Sequence, residues 1–255
     1  MSKWSVKCLA AAAAAGLMLG SVLPASAEES MIRQYETSQP VTSVVADVEN
    51  ADLVIRKGTG NTIQVDSAAD ARGEYTYHFD LEDGVLNIQV EAGERERLKV
   101  LRGLTVDSGV VMIESETGYA TIWENEITVT LPEKVYDQIE VTGKNSTMKV
   151  ENVEADEITL EGNNGSAALE GNRSRRTQIQ LVNGSIEFDH SYALDYDCEV
   201  RNGEIEGILS GTKADYQLEA LVEHGPCNLA NQAGSGVASG SFRVTNGSID
   251  LRFTG

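Results

Sequence analysis

The sequence has few aromatic, histidine and cysteine residues, and each scarcity excludes a class of protein. Aromatic residues make up 5% of the 255 positions, which leaves few flat side chains on which sugar rings could stack. The three histidines, His78, His190 and His224, do not have the spacing of metal ligands. Three cysteines are too few for a disulfide framework. We therefore expect no bound metal, no cofactor and no disulfide-rich scaffold.

Basic residues are also scarce. The chain has 20 lysines and arginines against 40 acidic residues, so its formal charge is −20. A surface this acidic repels nucleic acids and anionic lipids, whereas it tolerates cations and basic partners. The charge also keeps a sheet-rich protein soluble. The composition therefore predicts that nucleic acid is not a partner.

Long apolar runs are absent except near the N-terminus. Lys3 and Lys7 precede an alanine-rich apolar stretch, and Ala25-Ser26-Ala27 has the small-x-small pattern that signal peptidase recognises. The stretch is too short to span a bilayer comfortably. We predict that residues 1–27 are a signal peptide, that the protein is secreted or extracytoplasmic (at the cell surface or in the periplasm), and that it has no membrane span after cleavage.

The segments that follow differ in regularity. Residues 28–40 lack periodicity and are predicted to be a flexible leader. Apolar and polar residues then alternate as in β-strands, and Asp83-Gly84 between two such runs predicts a hairpin. Residues 91–125 are predicted to be an irregular insertion, with strands possible at 110–113 and 120–123.

A motif centred on a glycine returns through the second half of the chain. Asn183-Gly184-Ser185-Ile186 recurs letter for letter at residues 246–249. The equivalent glycines are separated by 19, 19, 22 and 22 residues: Gly165, Gly184, Gly203, Gly225 and Gly247. An apolar-polar-apolar triplet precedes each motif, and further apolar residues follow it. A fixed period near twenty residues is typical of a solenoid, in which each repeat forms one rung of a stack.

The period decides between two folds. Asn-Gly between strands usually indicates a hairpin, but a meander of hairpins gives no reason for the same letters to return at a fixed step. We predict an all-β, single-domain parallel β-helix or β-solenoid over residues 41–255, with rungs of 19–22 residues about 4.8 Å apart. A β-sandwich is the main alternative. Asn183, Asn202 and Asn246 should then lie above one another at one corner, with the rung of His224 interrupting the column.

The outward residues of the first strand in each rung are predicted to form a flat polar face. We expect this face to be the interaction surface, and its members in chain order are Glu140, Thr159, Gln180, Asp197, Gln217 and Arg243.

An enzymatic role needs carboxylates that converge, since polysaccharide-degrading β-helices use paired acids or hold Ca²⁺ in one groove. Acidic residues are frequent here, and the candidates are Glu187, Asp189 and His190, then Asp195 and Asp197, and the stretch Glu223-His224-Gly225. They form no tight cluster in the sequence, and the calcium-binding nonapeptide is absent. We therefore predict no catalytic residues and no metal ligands.

Two cysteines follow the predicted signal peptide. Cys198 and Cys227 fall at inward positions of rungs that are neighbours in the chain. Either they form a disulfide, which requires Cα atoms within roughly 7 Å, or they are two buried free thiols.

Three further stretches carry a resemblance to a known family. They are Ala51-Asp52-Leu53-Val54-Ile55, the run that ends at Leu131-Pro132, and the terminal strand at residues 242–251. With them the chain resembles a family of secreted bacterial domains known as putative adhesins, formerly a domain of unknown function, over residues 41–253. The resemblance implies a β-solenoid of the pectate-lyase-like class. It brings no catalytic or ligand residues.

The predicted function is a non-enzymatic binding or scaffold module outside the cytoplasm. The adhesin label implies attachment to a surface, with a surface glycan or an envelope protein as the partner. Two alternatives are a polysaccharide-active enzyme of similar shape and an accessory protein of an envelope-stress system, with which the family is sometimes associated.

Overall fold

A computed structural model describes residues 31–68, 75–92, 97–100, 104–107, 110–115, 118–123, 125–232 and 236–255. The predicted signal peptide lies outside these residues. In the described ranges the chain forms strands and one 3₁₀ turn, Lys213–Asp215. The strands are β1 (Ile32–Thr37), β2 (Ser43–Glu49), β3 (Asp52–Lys57), β4 (Ile63–Ser67), β5 (Tyr75–Glu82), β6 (Val85–Ala92), β7 (Arg97–Val100), β8 (Leu104–Asp107), β9 (Val110–Ser115), β10 (Gly118–Trp123), β11 (Glu126–Leu131), β12 (Val135–Glu151), β13 (Glu154–Glu170), β14 (Arg173–Leu209), β15 (Tyr216–His224) and β16 (Ala238–Phe253).

The central strands pair in parallel with a constant step of one repeat. Val135 of β12 lies opposite Glu154 of β13, which lies opposite Arg173 of β14, so each step is 19 residues. β14 is long enough for two rungs, and the backbone N–H of Tyr192 donates to the carbonyl of Asn172 in the rung before it. Hairpins would pair antiparallel, so the predicted stack of parallel rungs is confirmed in this part of the chain.

Each rung has three short straight segments. In residues 139–143 the odd positions are buried, in 146–150 the even positions, and in 153–155 the odd positions again. Along a straight strand the side chains alternate with a period of two, so each change of phase marks a bend. We call the outer surfaces over these segments the first, second and third faces.

The core is one continuous apolar cluster inside the stack. Val141, Leu160 and Ile179 lie above one another with at most 1% of their surface exposed. Towards the C-terminus the aliphatic column gives way to aromatic rings, and Phe188 and Tyr196 meet edge to face at 5.4 Å. Burial of each such side chain contributes about 1.5–3 kcal/mol.

The last two rungs are exchanged in space. β16 pairs with β14 at a step of 44 residues, as in Ile205 opposite Ile249. β15 pairs with β16, with Tyr216 opposite Ala238, and therefore lies at the end of the stack. The expectation that rungs stack in chain order is wrong here. The departure coincides with the change of the repeat from 19 to 22 residues.

The N-terminal end of the stack is assembled from separate parts of the chain. β2 and β3 together form a rung on β12. The next rung consists of β6, paired with β2, and β11, paired with β3. β5 returns along β6 through Asp83-Gly84, whose φ angles of 51° and 81° are those of a hairpin turn, as predicted. β4 pairs antiparallel with β11, and β1 pairs antiparallel with β4.

The predicted flexible leader is wrong for the residues that form β1. Arg33 makes an ion pair of 2.5 Å with Asp66, and the ring of Tyr35 stacks on Phe79 at 5.1 Å. The register of β1 shifts between Arg33 and Tyr35, as in a β-bulge. A bulge breaks the two-residue alternation, which is why the strand has no periodic signature.

The predicted irregular insertion at residues 91–125 is also more regular than expected. Strands β7, β8, β9 and β10 form a separate four-stranded antiparallel sheet in chain order. The strands suggested at residues 110–113 and 120–123 are confirmed as parts of β9 and β10.

Candidate interaction face

The first face carries three parallel rows of outward side chains, and each row takes one residue from each rung of β12 to β16. The middle row contains Glu140, Thr159, Gln178, Asp197, Ser241 and Glu219. Of the six residues predicted to share a row, Glu140, Thr159 and Asp197 do so. Gln180 and Arg243 lie in the next row, and Gln217 lies in the row on the other side.

Two inward residues are not apolar, and for this reason the sequence pattern gives the wrong register in their rungs. Ile158 lies opposite Thr177, which is buried and bonded to Ser174 at 2.7 Å. In the rung of β16 the same inward position is Gly240, opposite Tyr196. Neither threonine nor glycine counts as apolar in a search for alternation, so the sequence pattern puts the triplets of these two rungs two residues too late.

All six predicted residues face outward. Glu140, Thr159 and Asp197 are half-buried, whereas Gln180, Gln217 and Arg243 are exposed. Arg243 and Asp197 approach at 3.5 Å, and both side chains keep more than a third of their surface exposed, so the pair contributes at most about 1 kcal/mol. The face is therefore flat and mainly polar, with carboxylates, amides and hydroxyls at regular intervals, whereas Val45 continues the middle row on β2 and Leu221 ends the next row on β15.

A groove runs along the edge of the first face, where the chain turns towards the second. Its volume is about 480 Å³, and Thr142, Glu161 and Gln180 form one wall. Lys144 and Arg201 also line it, and Lys144 is bonded to Glu49 at 2.6 Å. The groove can hold a small polar group beside charges of both signs.

A ladder of asparagine side chains occupies the corner beside the groove. Each amide donates to the one before it at 2.7–3.1 Å, and the members are Asn50, Asn145, Asn164, Asn183, Asn202 and Asn246. The predicted stacking of the last three is confirmed. His224 does not interrupt the column, because β15 lies beyond β16. The amides bond to one another, which makes the corner structural.

Glycines beside the ladder allow the rungs to approach closely. A Cβ atom on Gly184 would lie 1.5 Å from the carbonyl oxygen of Gly165, and the φ of Gly184 is 141°. Both the contact and the backbone angle therefore require glycine at this position.

The acidic candidates for catalysis do not converge. Glu187 and Asp189 lie on the second face, where His190 contacts Asp189, whereas Asp195 and Asp197 lie on the first. The stretch from Glu223 lies at the end of the stack. Within the described ranges no three histidine, cysteine or carboxylate side chains are arranged as metal ligands.

The two cysteines are free thiols and lie in different surroundings. Cys198 is buried opposite Phe242, and burial raises the pKa of its thiol. Cys227 is exposed and lies opposite Ile249, so its predicted inward position is wrong. Because β16 lies between their rungs, the two cysteines are not neighbours.

A family comparison agrees with this arrangement. The sequence model of the family described as Toastrack DUF4097 matches residues 41–254. The chain belongs to the Toastrack family. The resemblance found in the sequence is thereby confirmed, and the family is one of unknown function. The Toastrack assignment therefore supports the architecture and brings no site residue.

Several solved structures are similar to this Toastrack chain at low identity. One is a putative cell adhesion protein from Clostridium sporogenes, with a TM-score of 0.43 and 9% identity over 88% of this chain and 100% of that one. Another is a putative adhesin from Bacteroides fragilis, with a TM-score of 0.43 and 11% identity over 88% of this chain and 98% of that one. No curated protein matches the sequence. In the described part of the chain, no helix has the length and apolar character needed to cross a membrane.

Proposed function

We propose that this protein is a secreted, non-enzymatic binding or scaffold module that contacts a surface glycan or an envelope protein through its first face. The proposal rests on the register of the middle row. Glu140, Thr159 and Gln178 follow one another at the rung spacing of about 4.8 Å. A ligand with a repeating unit can meet a polar group of this row at each of these rungs.

The chemistry of the titratable groups supports binding over catalysis. Active sites hold groups whose pKa values are shifted in a cleft that a substrate can reach. Here burial raises the pKa of Tyr136 to about 12 and raises the pKa values of Tyr196 and Cys198, and all three lie in the core. Their shifts follow from packing, so they supply no acid or base to a ligand.

We also propose three features that follow from the sequence. These are cleavage after Ala27, export from the cytoplasm, and a single-domain, pectate-lyase-like β-helix over residues 41–255. An enzyme of similar shape that acts on polysaccharides is the alternative.

Two measurements on the purified protein test the proposal. The first is binding to glycan arrays and to whole bacterial cells. The second is an assay for reducing sugars released from acidic polysaccharides. Thr159→Lys places a long charged side chain in the middle of the first face and should abolish binding. Ser166→Lys is the matched control, because Ser166 is a half-buried outward hydroxyl of the same strand on the second face. Reproducible release of sugar, or equal loss of binding in both variants, would contradict the proposal.

A further inference from the structure

The third face carries two arginines on a protein that is otherwise strongly acidic. Arg173 and Arg175 lie at the start of β14, and the formal charge of the whole chain is −20. Both side chains are exposed. Glu154 lies opposite Arg173 in the ladder and Asp156 lies 4.0 Å from Arg175, so what matters for an anionic ligand is how far these carboxylates neutralise the two arginines.

Two adjoining cavities form a trough on this face. The first, of about 110 Å³, reaches from Lys57 and Pro132 to Val135 and Glu154. The second, of about 400 Å³, shares Val135 and Glu154 and continues to Leu194. We call the two together the third-face trough. Its floor includes large apolar side chains in water, since Val135 is 60% exposed and Leu194 is 40% exposed.

An aromatic ring orients the side chain of Arg173, and the positive charge of its guanidinium remains free to bind a ligand. Its guanidinium lies over the ring of Tyr192, 5.4 Å from the centroid. Glu154 is opposite Arg173 in the ladder, yet among the described residues Arg173 forms no ion pair with a carboxylate. Stacking on an aromatic ring orients the planar fork of an arginine and leaves its N–H groups free for a carboxylate.

Arg175 is also available, because its contact with Asp156 is 4.0 Å long and both side chains are more than half exposed. Arg173 and Arg175 are two residues apart on one strand, so their Cα atoms lie about 6.6 Å apart on the same side. Carboxylates at alternate positions of an extended peptide have the same spacing.

We propose that the third-face trough binds an extended peptide segment of a partner protein in which carboxylate and aliphatic side chains alternate. The carboxylates pair with Arg173 and Arg175, and the aliphatic side chains, which project from the opposite side of an extended peptide, cover Val135 two rungs away. The exposed apolar side chains of Val135 and Leu194 favour a ligand with aliphatic side chains over an acidic polysaccharide. The guanidinium of Arg173 covers one face of the Tyr192 ring, which leaves less of the ring for a sugar to stack on. This site is separate from the first face and does not depend on the function proposed for it.

Fluorescence anisotropy tests the site with a labelled hexapeptide of alternating leucine and glutamate. The same peptide with glutamine in place of glutamate measures the contribution of charge. An unlabelled oligogalacturonate, added as a competitor, shows whether an acidic polysaccharide binds instead. Wild-type protein should bind the acidic peptide and not the neutral one, and added salt should weaken binding. Arg173→Ala should weaken binding at least tenfold, and Arg173→Lys should weaken it less.

Arg56→Ala is the control, because Arg56 is an exposed arginine of β3 that lines neither cavity of the trough. It should leave the affinity for the peptide unchanged. Thermal unfolding of each variant shows whether the fold is retained. The proposal is wrong if wild-type protein does not bind the peptide at about 1 mM, if Arg56→Ala loses as much affinity as Arg173→Ala, or if the oligogalacturonate binds more tightly than the peptide.

Discussion

The side-chain amide of Asn246 donates a hydrogen bond of 2.8 Å to the side-chain oxygen of Asn202, although 44 residues separate them in the chain. The rung that contains His224 lies between them in sequence but beyond them in space. The asparagine ladder therefore continues through an exchange in rung order. The same exchange decides which residues are neighbours on the first face.

Substitution of Gly184 should destabilise the stack. A Cβ atom there meets the carbonyl of Gly165, and the φ of 141° is unfavourable for other residues. Gly184→Ala should lower the free energy of unfolding by more than about 1 kcal/mol, and Gly184→Val by more. Gly60→Ala is the control, because the nearest atom to its added Cβ is 4.0 Å away. Urea unfolding measures both.

Binding should be unaffected by the Gly184 variants once it is expressed per folded molecule, because the corner has a structural role. A Gly184→Ala protein that unfolds at the wild-type urea concentration but no longer binds to cells would show that the corner is the functional site.

Ile186 and Glu187 test the assignment of inside and outside on the second face. Ile186 is fully buried and Glu187 is exposed. Ile186→Ala should cost about 2–5 kcal/mol of unfolding free energy, because it removes buried methyl groups and leaves a cavity. Glu187→Ala should cost about 0.5 kcal/mol or less. Similar costs for the two variants in denaturant unfolding would mean that the alternation is misassigned.

The two cysteines should differ in reactivity. Cys227 is exposed, whereas Cys198 is buried and its raised pKa keeps the thiol protonated. In folded protein that lacks residues 1–27, a thiol reagent should label one cysteine per chain, and Cys227→Ser should abolish that labelling. Mass spectrometry after labelling identifies the site. A disulfide between the two cysteines in the unreduced protein would contradict this arrangement.

Stability should fall at alkaline pH through the buried tyrosines. The pKa of Tyr136 is about 12 in the folded protein, and an unfolded tyrosine titrates near 10. Above pH 10 the unfolded chain therefore loses a proton that the folded chain retains, so stability decreases as the pH rises from about 10 to 12. Tyr136→Phe should make this decrease less steep. Urea unfolding at pH 9 to 12 measures the slope, and an unchanged slope would mean that Tyr136 titrates normally in the folded state.

The sequence predicts the repeating parts of this fold well, because similar rungs need the same residues at equivalent positions. Gly184 and the asparagines at 183, 202 and 246 are examples, since each corner needs the same geometry. The strand β1 is not predictable in this way, because the bulge near Arg33 breaks the alternation. The register of the first face is only partly predictable, since Thr177 and Gly240 occupy inward positions without being large apolar residues.

The order of the last rungs could not be predicted for a different reason. Both β15 and β16 alternate inward and outward residues in the same register, although their inward residues differ, so the alternation alone allows either order. The pattern shows which residues face the core, but not which rung lies beside which. The exposure of Cys227 was missed for the same reason, since a residue in a terminal rung has a neighbour on one side only.

The most direct test of the account is disulfide trapping across the first face. In the observed order Asp197 lies beside Ser241, and Ser241 lies beside Glu219. Stacking in chain order would instead place Asp197 beside Glu219. Adjacent rungs bring Cα atoms to about 4.8 Å, within the range for a disulfide, whereas rungs two apart do not.

In a Cys227→Ser background, mild oxidation should therefore cross-link the pair Asp197→Cys and Ser241→Cys in nearly every molecule. The pair Asp197→Cys and Glu219→Cys should stay reduced. Efficient cross-linking of the second pair and not the first would show that the rungs follow chain order, and the rows of the proposed interaction face would then be wrong.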